Sequence, residues 1–168
     1  MKRIAINGFG RIGRTLFRIL ENDSNHEVVV INDIAHPSIL SHLLKYDSIH
    51  GKFSKDVSYT DSHINVNGRQ ITILNHDKLK DLSWRDFNID VVFECTGNFK
   101  TRKENLIHIN VGAKKVILCS PPIGCDIPMV VLGVNDTIIT QDDQIISNAS
   151  CTTNCAAPMI KVFNYVES

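Results

Sequence analysis

The chemistry-bearing stretch is Ser147-Asn148-Ala149-Ser150-Cys151-Thr152-Thr153-Asn154-Cys155, close to the C-terminal end. An apolar run, Gln144-Ile145-Ile146, enters it as a strand, and Ala156, Ala157, Met159, Ile160, Val162 and Phe163 leave it with helical spacing. Ser150 is then the N-cap and Cys151 lies in the first helical turn. Unpaired N–H groups and the positive end of the helix dipole favour a thiolate, the nucleophilic form of cysteine. The hydroxyls of Ser150, Thr152 and Thr153 could line a small oxygen-rich substrate. A buried structural thiol is the alternative for any single cysteine, since free cysteine is among the most buried residue types.

A second constellation stands at the N-terminus. Lys2 to Asn7 reads as a short buried strand, and Gly8-Phe9-Gly10-Arg11-Ile12-Gly13 opens a helix whose apolar face is expected at Ile12, Leu16, Ile19 and Leu20. Between strand and helix, the first glycine makes a tight turn, the second lets backbone approach a pyrophosphate, and the third lets helix and strand pack closely. The diphosphate would rest on the N–H groups of Arg11 and Ile12. The next apolar strand, Val28 to Ile31, ends in Asn32-Asp33. Asp33 lies about 20 residues beyond the last motif glycine, where an acidic residue holds a ribose diol and repels a 2′-phosphate. NAD is therefore expected over NADP. The alternative is a domain that binds nothing, with Asp33 capping a turn.

The remaining segments must position these two groups. Pro37 starts a helical pattern through Ile39, Leu40, Leu43 and Leu44, which ends in a polar loop from Tyr46 to Gly51. Ile64-Asn65-Val66 and Gln70 to Leu74 alternate around Asn67-Gly68, a strong hairpin signal, with Tyr59 on a strand beside them. Asp90 to Cys95 returns as a buried strand and breaks at Thr96-Gly97, where ligands lie in an open parallel sheet. Thr101 caps a helix that Gly112 ends, Lys115 to Cys119 is the next strand, and Met129 to Leu132 is expected as another. His50, His63 and His76 share no spacing and read as solvated residues rather than ligands. Alternating strands and helices with one hairpin insertion describe a doubly wound α/β domain with a mainly parallel sheet.

Composition narrows the rest. A chain of 168 residues with 43% hydrophobic content can bury one sizeable core. Eighteen basic residues balance eighteen acidic ones, so nothing draws the chain to nucleic acid or to an anionic membrane. Its apolar runs are too short to span a bilayer, and Met1-Lys2-Arg3 leads directly into a strand, so a cytoplasmic location is expected. The five cysteines are an odd number without a C-x-x-C pair, which argues against a disulfide framework. Cys151 and Cys155 stand at i, i+4 with no His or further Cys at a ligand spacing, so no metal site is expected.

S-N-A-S-C-T-T-N-C followed by Ala156-Ala157-Pro158 resembles the active-site signature of phosphorylating glyceraldehyde-3-phosphate dehydrogenases, shared with erythrose-4-phosphate dehydrogenases. The blocks Asn7 to Arg14, Ile31-Asn32-Asp33, Lys45 to Gly51, Glu94 to Gly97 and Gly133-Val134-Asn135 resemble the same family in the same order. The resemblance implies a Rossmann-type domain over residues 1–150. NAD would be held by Asn7, Gly8, Gly10, Arg11, Ile12, Gly13, Asn32, Asp33, Thr96, Gly97 and Ser120. It makes Cys151 the residue that attacks the aldehyde, with Ser150 and Thr152 beside the substrate. A phosphorylated aldehyde and inorganic phosphate would be the substrates, in a glycolytic homotetramer. Residues 151–168 would lead into a catalytic domain beyond this sequence, together with the histidine that serves as base, so the chain alone is expected to be inactive. Two departures stand out: Pro121-Pro122 replaces the usual Ala-Pro, and Asn75-His76-Asp77-Lys78 replaces the common Glu-Arg-Asp-Pro, removing the arginine normally offered on the adenine side. A stand-alone nucleotide-binding module without catalysis is the reading from another class.

Overall fold

A computed structural model describes residues 1–166. Its frame is an eight-stranded sheet built from β1 (Lys2–Asn7), β2 (His26–Asn32), β5 (Val57–Tyr59), β6 (His63–Val66), β7 (Arg69–Leu74), β8 (Val91–Glu94), β9 (Lys115–Leu118) and β10 (Ile145–Ser147). The order is β10-β9-β8-β1-β2-β7-β6-β5. Pairing is parallel from β10 to β7 and antiparallel from β7 to β5, as the hairpin signal requires. At the hairpin tip Asn67 and Gly68 both have positive φ, 48° and 82°, the geometry that makes Asn-Gly a preferred pair there. The helices are α1 (Arg11–Leu20), α2 (Pro37–Lys45), α3 (Arg102–Asn110) and α4 (Cys151–Val166).

Alternation along β1 divides the core between the two faces of the sheet. Ile4 and Ile6 join Phe9, Phe17, Val28 and Ile31 on one face, while Ala5 joins Val30, Trp84, Val92, Val116 and Ile145 on the other. On β2 the buried pair Val28 and Ile31 are three residues apart, not two. The β1–β2 register shifts between Ile4 and Ala5, and the additional residue on β2 restores the match between faces.

Three expectations are corrected. Tyr46 to Gly51 is not a simple loop: β3 (Tyr46–Asp47) pairs antiparallel with β4 (Gly51–Lys52), across a turn in which Asp47 Oδ1 accepts from the N–H groups of Ile49 and His50. Met129 to Leu132 is not a strand. A single parallel bridge joins Met129 to Ser147, after which Asn135 accepts from Val131 N–H through its side chain and donates back to the Val131 carbonyl, turning the chain away from the sheet. The apolar face of α1 is met only in part: Leu16 and Leu20 pack against the core beside buried Gly13 and Phe17, whereas Ile12 and Ile19 are 57% and 62% exposed. The cause is Gly13 itself: a Cβ there would lie 2.2 Å from the Gly8 carbonyl oxygen, so the helix sits directly on the turn and brings Phe17 edge-on to Phe9, ring centres 5.7 Å apart.

Candidate functional site: a cofactor cleft and a cysteine groove

The strand order reverses at β1, which runs between β2 and β8, so the carboxyl ends of these three strands diverge into a crevice. It is a cleft of about 330 Å³ lined by Asn7, Gly8 and Gly10 from the first turn, Asn32, Asp33 and Ile34 from the second, and Cys95, Thr96, Asn98 and Phe99 from the turn after β8. His76, Asp77 and Leu79 close one side. The segment that departs from the family pattern thus faces the cleft, and Asn75 is tied to it by donating to the carbonyls of Asp33 and Ile34.

The glycine turn is shaped by contact. Gly8 has φ +89°, and a Cβ on it would meet Thr96 N at 2.7 Å, so the turns after β1 and β8 touch through bare backbone. A Cβ at Gly10 would meet nothing within 4 Å, because that position faces open space at the start of α1. Asp33 Oδ2 accepts from Phe9 N–H at 2.7 Å and Oδ1 from Ala35 N–H at 2.9 Å. A carboxylate has about four acceptor sites, so two remain for hydroxyl donors.

Beneath the cleft lies a chain of buried polar groups. His76 N–H donates to Asn32 Oδ1 (3.0 Å), Asn32 Nδ2 donates to Asn7 Oδ1 (2.7 Å), and Asn7 Nδ2 donates to Glu94 Oε2 (2.5 Å). His108 Nε2 reaches the same oxygen at 3.0 Å, and Trp84 Nε1–H donates to His108 Nδ1 at 2.8 Å. Glu94 Oε1 accepts from Thr96 N–H at 2.9 Å and from the Thr96 hydroxyl. Asn7, Glu94, His108 and Trp84 are fully buried. Sequence alone does not single out Glu94, His108 and Trp84 as a group. Period two along β8 is the available signal, since it places the charged Glu94 on the same face as the core residue Val92.

Cys151 lies elsewhere. It is exposed at the first residue of α4, where Ser150 Oγ accepts from Thr153 N–H at 3.0 Å as an N-cap. The Ser150 hydroxyl also meets those of Thr152 and Thr153, at 2.9 and 2.7 Å. Ala149, at φ 55°, turns the chain sharply from β10 into this helix. Ser150 and Cys151 line a groove of about 650 Å³ with Ile12, Leu16, Ile19, Phe93, Cys119 and Ile146 among its walls. Ile12, two residues beyond Gly10, therefore shares a groove with Cys151. Of the other residues expected at the site, Arg11, Gly13, Gly97, Ser120 and Thr152 line neither hollow. Gly13 is buried under the turn, Gly97 takes φ 72° beside Thr96, and the Ser120 hydroxyl is buried without a protein partner.

The cysteines differ sharply in setting. Cys125, Cys151 and Cys155 are exposed, while Cys95 and Cys119 are partly buried. A hydrogen bond with Cys119, then burial, pushes the Cys95 thiol well above the ordinary thiol range. Among the described residues, no three His, Cys, Asp or Glu side chains gather as a metal site, and no helix is long and apolar enough to cross a membrane.

Residues 2–102 match the family model described as glyceraldehyde 3-phosphate dehydrogenase, NAD binding domain. The chain belongs to this family. It is 46% identical over 160 residues to the glyceraldehyde-3-phosphate dehydrogenase of Mycoplasma pneumoniae, covering 95% of this chain and 48% of that protein. It is 48% identical over 162 residues to glyceraldehyde-3-phosphate dehydrogenase 2 of Staphylococcus epidermidis, covering 96% and 48%. The glyceraldehyde-3-phosphate dehydrogenase of Thermotoga maritima is 46% identical over 166 residues, covering 98% and 50%. The chain thus spans about half the length of the relatives it matches. NAD is the cofactor of the matched domain, and the cleft fits it: a glycine turn open at Gly10, a helix N-terminus behind it, and a carboxylate with acceptor sites to spare.

Proposed function

We propose that this chain is the cofactor-binding half of a phosphorylating glyceraldehyde-3-phosphate dehydrogenase. The observation that carries the reading is that the helix rising from the glycine turn and the helix bearing Cys151 open on one groove, through Ile12 and Cys151. Residues 1–150 act as the cofactor domain, and 151–168 begin the catalytic part. Gly8, Gly10 and the N–H groups of Arg11 and Ile12 hold the diphosphate. Asp33 takes the ribose hydroxyls, and Thr96 with Gly97 forms the opposite wall. Asn7 and Asn32 fix these walls from below, Gly13 lets α1 approach, and Ser120 stands at the end of β9 near Ser147, whose hydroxyl donates to the Ser120 carbonyl.

When bound, NAD supplies the two-electron acceptor for oxidation of the aldehyde. Cys151 does the covalent work. Its thiolate adds to the carbonyl carbon, making a C–S bond while the carbonyl π electrons move to oxygen. Ser150 and Thr152 line the approach. Once the adduct is oxidised to the thioester, inorganic phosphate attacks the acyl carbon, the C–S bond breaks, and Cys151 departs as thiolate, leaving the acyl phosphate. Glyceraldehyde 3-phosphate is favoured over erythrose 4-phosphate because the relatives at 46–48% identity carry that name. The protein works in the cytoplasm as a homotetramer, in glycolysis.

The test is NADH formation by the full-length protein with each sugar phosphate plus inorganic phosphate. Turnover on glyceraldehyde 3-phosphate that needs phosphate and disappears in Cys151→Ser supports the reading. Turnover unaffected by that change sinks it.

A further inference from the structure

The buried chain of polar groups under the cleft performs no step in the reaction above, and its cost demands a reason. A carboxylate on an interior strand gives up its solvation, and an apolar residue there would simply extend the core. Glu94 is fully buried, and its partners are an amide, a hydroxyl, a backbone N–H and an imidazole, with no Lys or Arg among its ion pairs in the described residues.

The direction of each hydrogen bond can be assigned. Trp84 Nε1 can only donate, so His108 Nδ1 accepts, and the ring hydrogen sits on Nε2, pointing at Glu94 Oε2. His76 N–H can only donate to Asn32 Oδ1, which leaves Asn32 Nδ2 to donate to Asn7 Oδ1 and Asn7 Nδ2 to donate to Glu94. Donors therefore converge on Glu94 from both sides. Its second oxygen holds both the N–H and the hydroxyl of Thr96, and the Thr96 oxygen in turn accepts from Asn98 N–H at 3.1 Å. Thr96 N is the atom that a Cβ on Gly8 would strike. The three strand ends forming the cleft, at Asn7, Asn32 and Glu94, are thus locked by one side-chain chain anchored in the core by His108 and Trp84.

We propose that Glu94, oriented by His108 and Trp84, is the positioning residue of the cofactor cleft: it sets the Thr96 turn against the glycine turn so that the wall is formed before NAD arrives. The inference rests on the cleft being the NAD site. Pre-formed walls lower the ordering cost of binding, which is how a residue that touches no ligand raises affinity.

Glu94→Gln separates positioning from packing because it keeps the shape and exchanges one acceptor for a donor. The least conflicting arrangement leaves the amide oxygen on Asn7 and His108, where two donors need it, and turns the NH₂ toward Thr96. The Thr96 hydroxyl can rotate to accept, but its N–H loses its partner. Three readouts follow: NAD affinity by calorimetry, exchange of the Thr96 amide, and the His108 imidazole nitrogen shifts. Expected results are NAD affinity lower by roughly tenfold or more, faster Thr96 exchange without a matching rise in the β1 amides, and an unchanged Nε2–H tautomer. If wild-type protein binds NAD and Glu94→Gln binds it equally well, or if exchange rises uniformly over the sheet, Glu94 is a packing residue and the proposal fails. If wild-type protein does not bind NAD, it is the assignment of the cleft that fails.

Discussion

The cofactor cleft and the Cys151 helix are built on opposite plans. At the cleft, every turn is pinned from below by buried side chains, and backbone meets backbone at Gly8 and Thr96. At Cys151, the thiol stands on an exposed helix end, with the Ser150 cap, Asn154 Nδ2 donating to the carbonyls of Asn148 and Ser150, and Lys161 reaching the carbonyls of Gly133 and Val134 among the bonds that hold the helix. The rest of α4 shows Met159, Ile160, Val162 and Phe163 to solvent, at 52–70% exposure. The walls of the cleft are fixed by buried side chains, whereas the Cys151 thiol is exposed. A rigid cleft limits the entropy lost by an ordered dinucleotide.

The largest expected effect sharpens that contrast. Under the proposed mechanism, Cys151→Ala should lower NADH formation by the full-length protein by roughly 10³-fold or more, as removal of a covalent nucleophile does. Because the side chain is exposed, it should change stability by less than ~0.5 kcal/mol. Calorimetry should find NAD affinity unchanged. A large loss of stability or of NAD binding would mean that the two regions are one coupled unit.

Gly13→Ala attacks the other side. Its Cβ would be forced to 2.2 Å from the Gly8 carbonyl oxygen, and neither partner is a flexible side chain. Overpacking of this kind costs at least ~1–3 kcal/mol and should displace α1 from the turn, abolishing NAD binding with the stability. Gly10→Ala is the control, with no neighbour within 4 Å. Denaturant melts should be nearly those of wild type while NAD affinity falls, because the methyl occupies the diphosphate's place. Equal melts for the two variants would break the picture of an over-determined turn.

How much of this is legible in sequence depends on how far each constraint reaches. The glycine turn, the Asn67-Gly68 hairpin and the Thr101 cap are local, each set by a few neighbouring residues, and the sequence reading locates all three. Ile12 and Ile19 mislead because helical apolar spacing is identical whether a face meets the core or an open groove. Only the Gly13 contact with Gly8 decides which. Met129 to Leu132 has strand-like residues, but Asn135 captures the backbone that a strand would offer to its neighbour. Glu94 is the hardest to interpret, because its meaning depends on His108, 14 positions away on α3, and on Asn7 across the sheet.

Asp33 belongs to both descriptions, structural and ligand-directed. It accepts from Phe9 and Ala35 and has acceptor sites left over, so under the proposed ribose role Asp33→Ala should do two things at once. NAD affinity should fall by roughly tenfold, about one lost hydrogen bond's worth, and the preference for NAD over NADP should shrink toward none. Titration with both cofactors distinguishes this from a purely structural aspartate, whose loss would weaken both equally and leave the ratio intact.

The smallest effect compares two N-caps. Thr101 forms a complete capping box with Glu104: Thr101 Oγ1 accepts from Glu104 N–H, and Glu104 Oε2 accepts from Thr101 N–H at 2.9 Å. The Thr101 hydroxyl and backbone N–H hold the Glu104 carboxyl below its ordinary range. Because α3 buries Asn105 and His108, losing its cap should be felt globally, and Thr101→Ala should cost ~1 kcal/mol in a denaturant melt. A carboxyl whose folded pKa is depressed contributes stability above its unfolded pKa and loses it as pH falls through the folded one. The difference between wild type and Thr101→Ala should therefore narrow below the ordinary glutamate range. Ser150 caps an exposed helix, so Ser150→Ala should leave the melt within ~0.5 kcal/mol of wild type. Its effect should be local: a frayed first turn weakens the dipole at Cys151, and limiting iodoacetamide should label that thiol more slowly relative to exposed Cys125. Equal global costs for the two caps would mean that α4 is as firmly integrated as α3, and the contrast between the pinned cleft and the loosely held cysteine would fall.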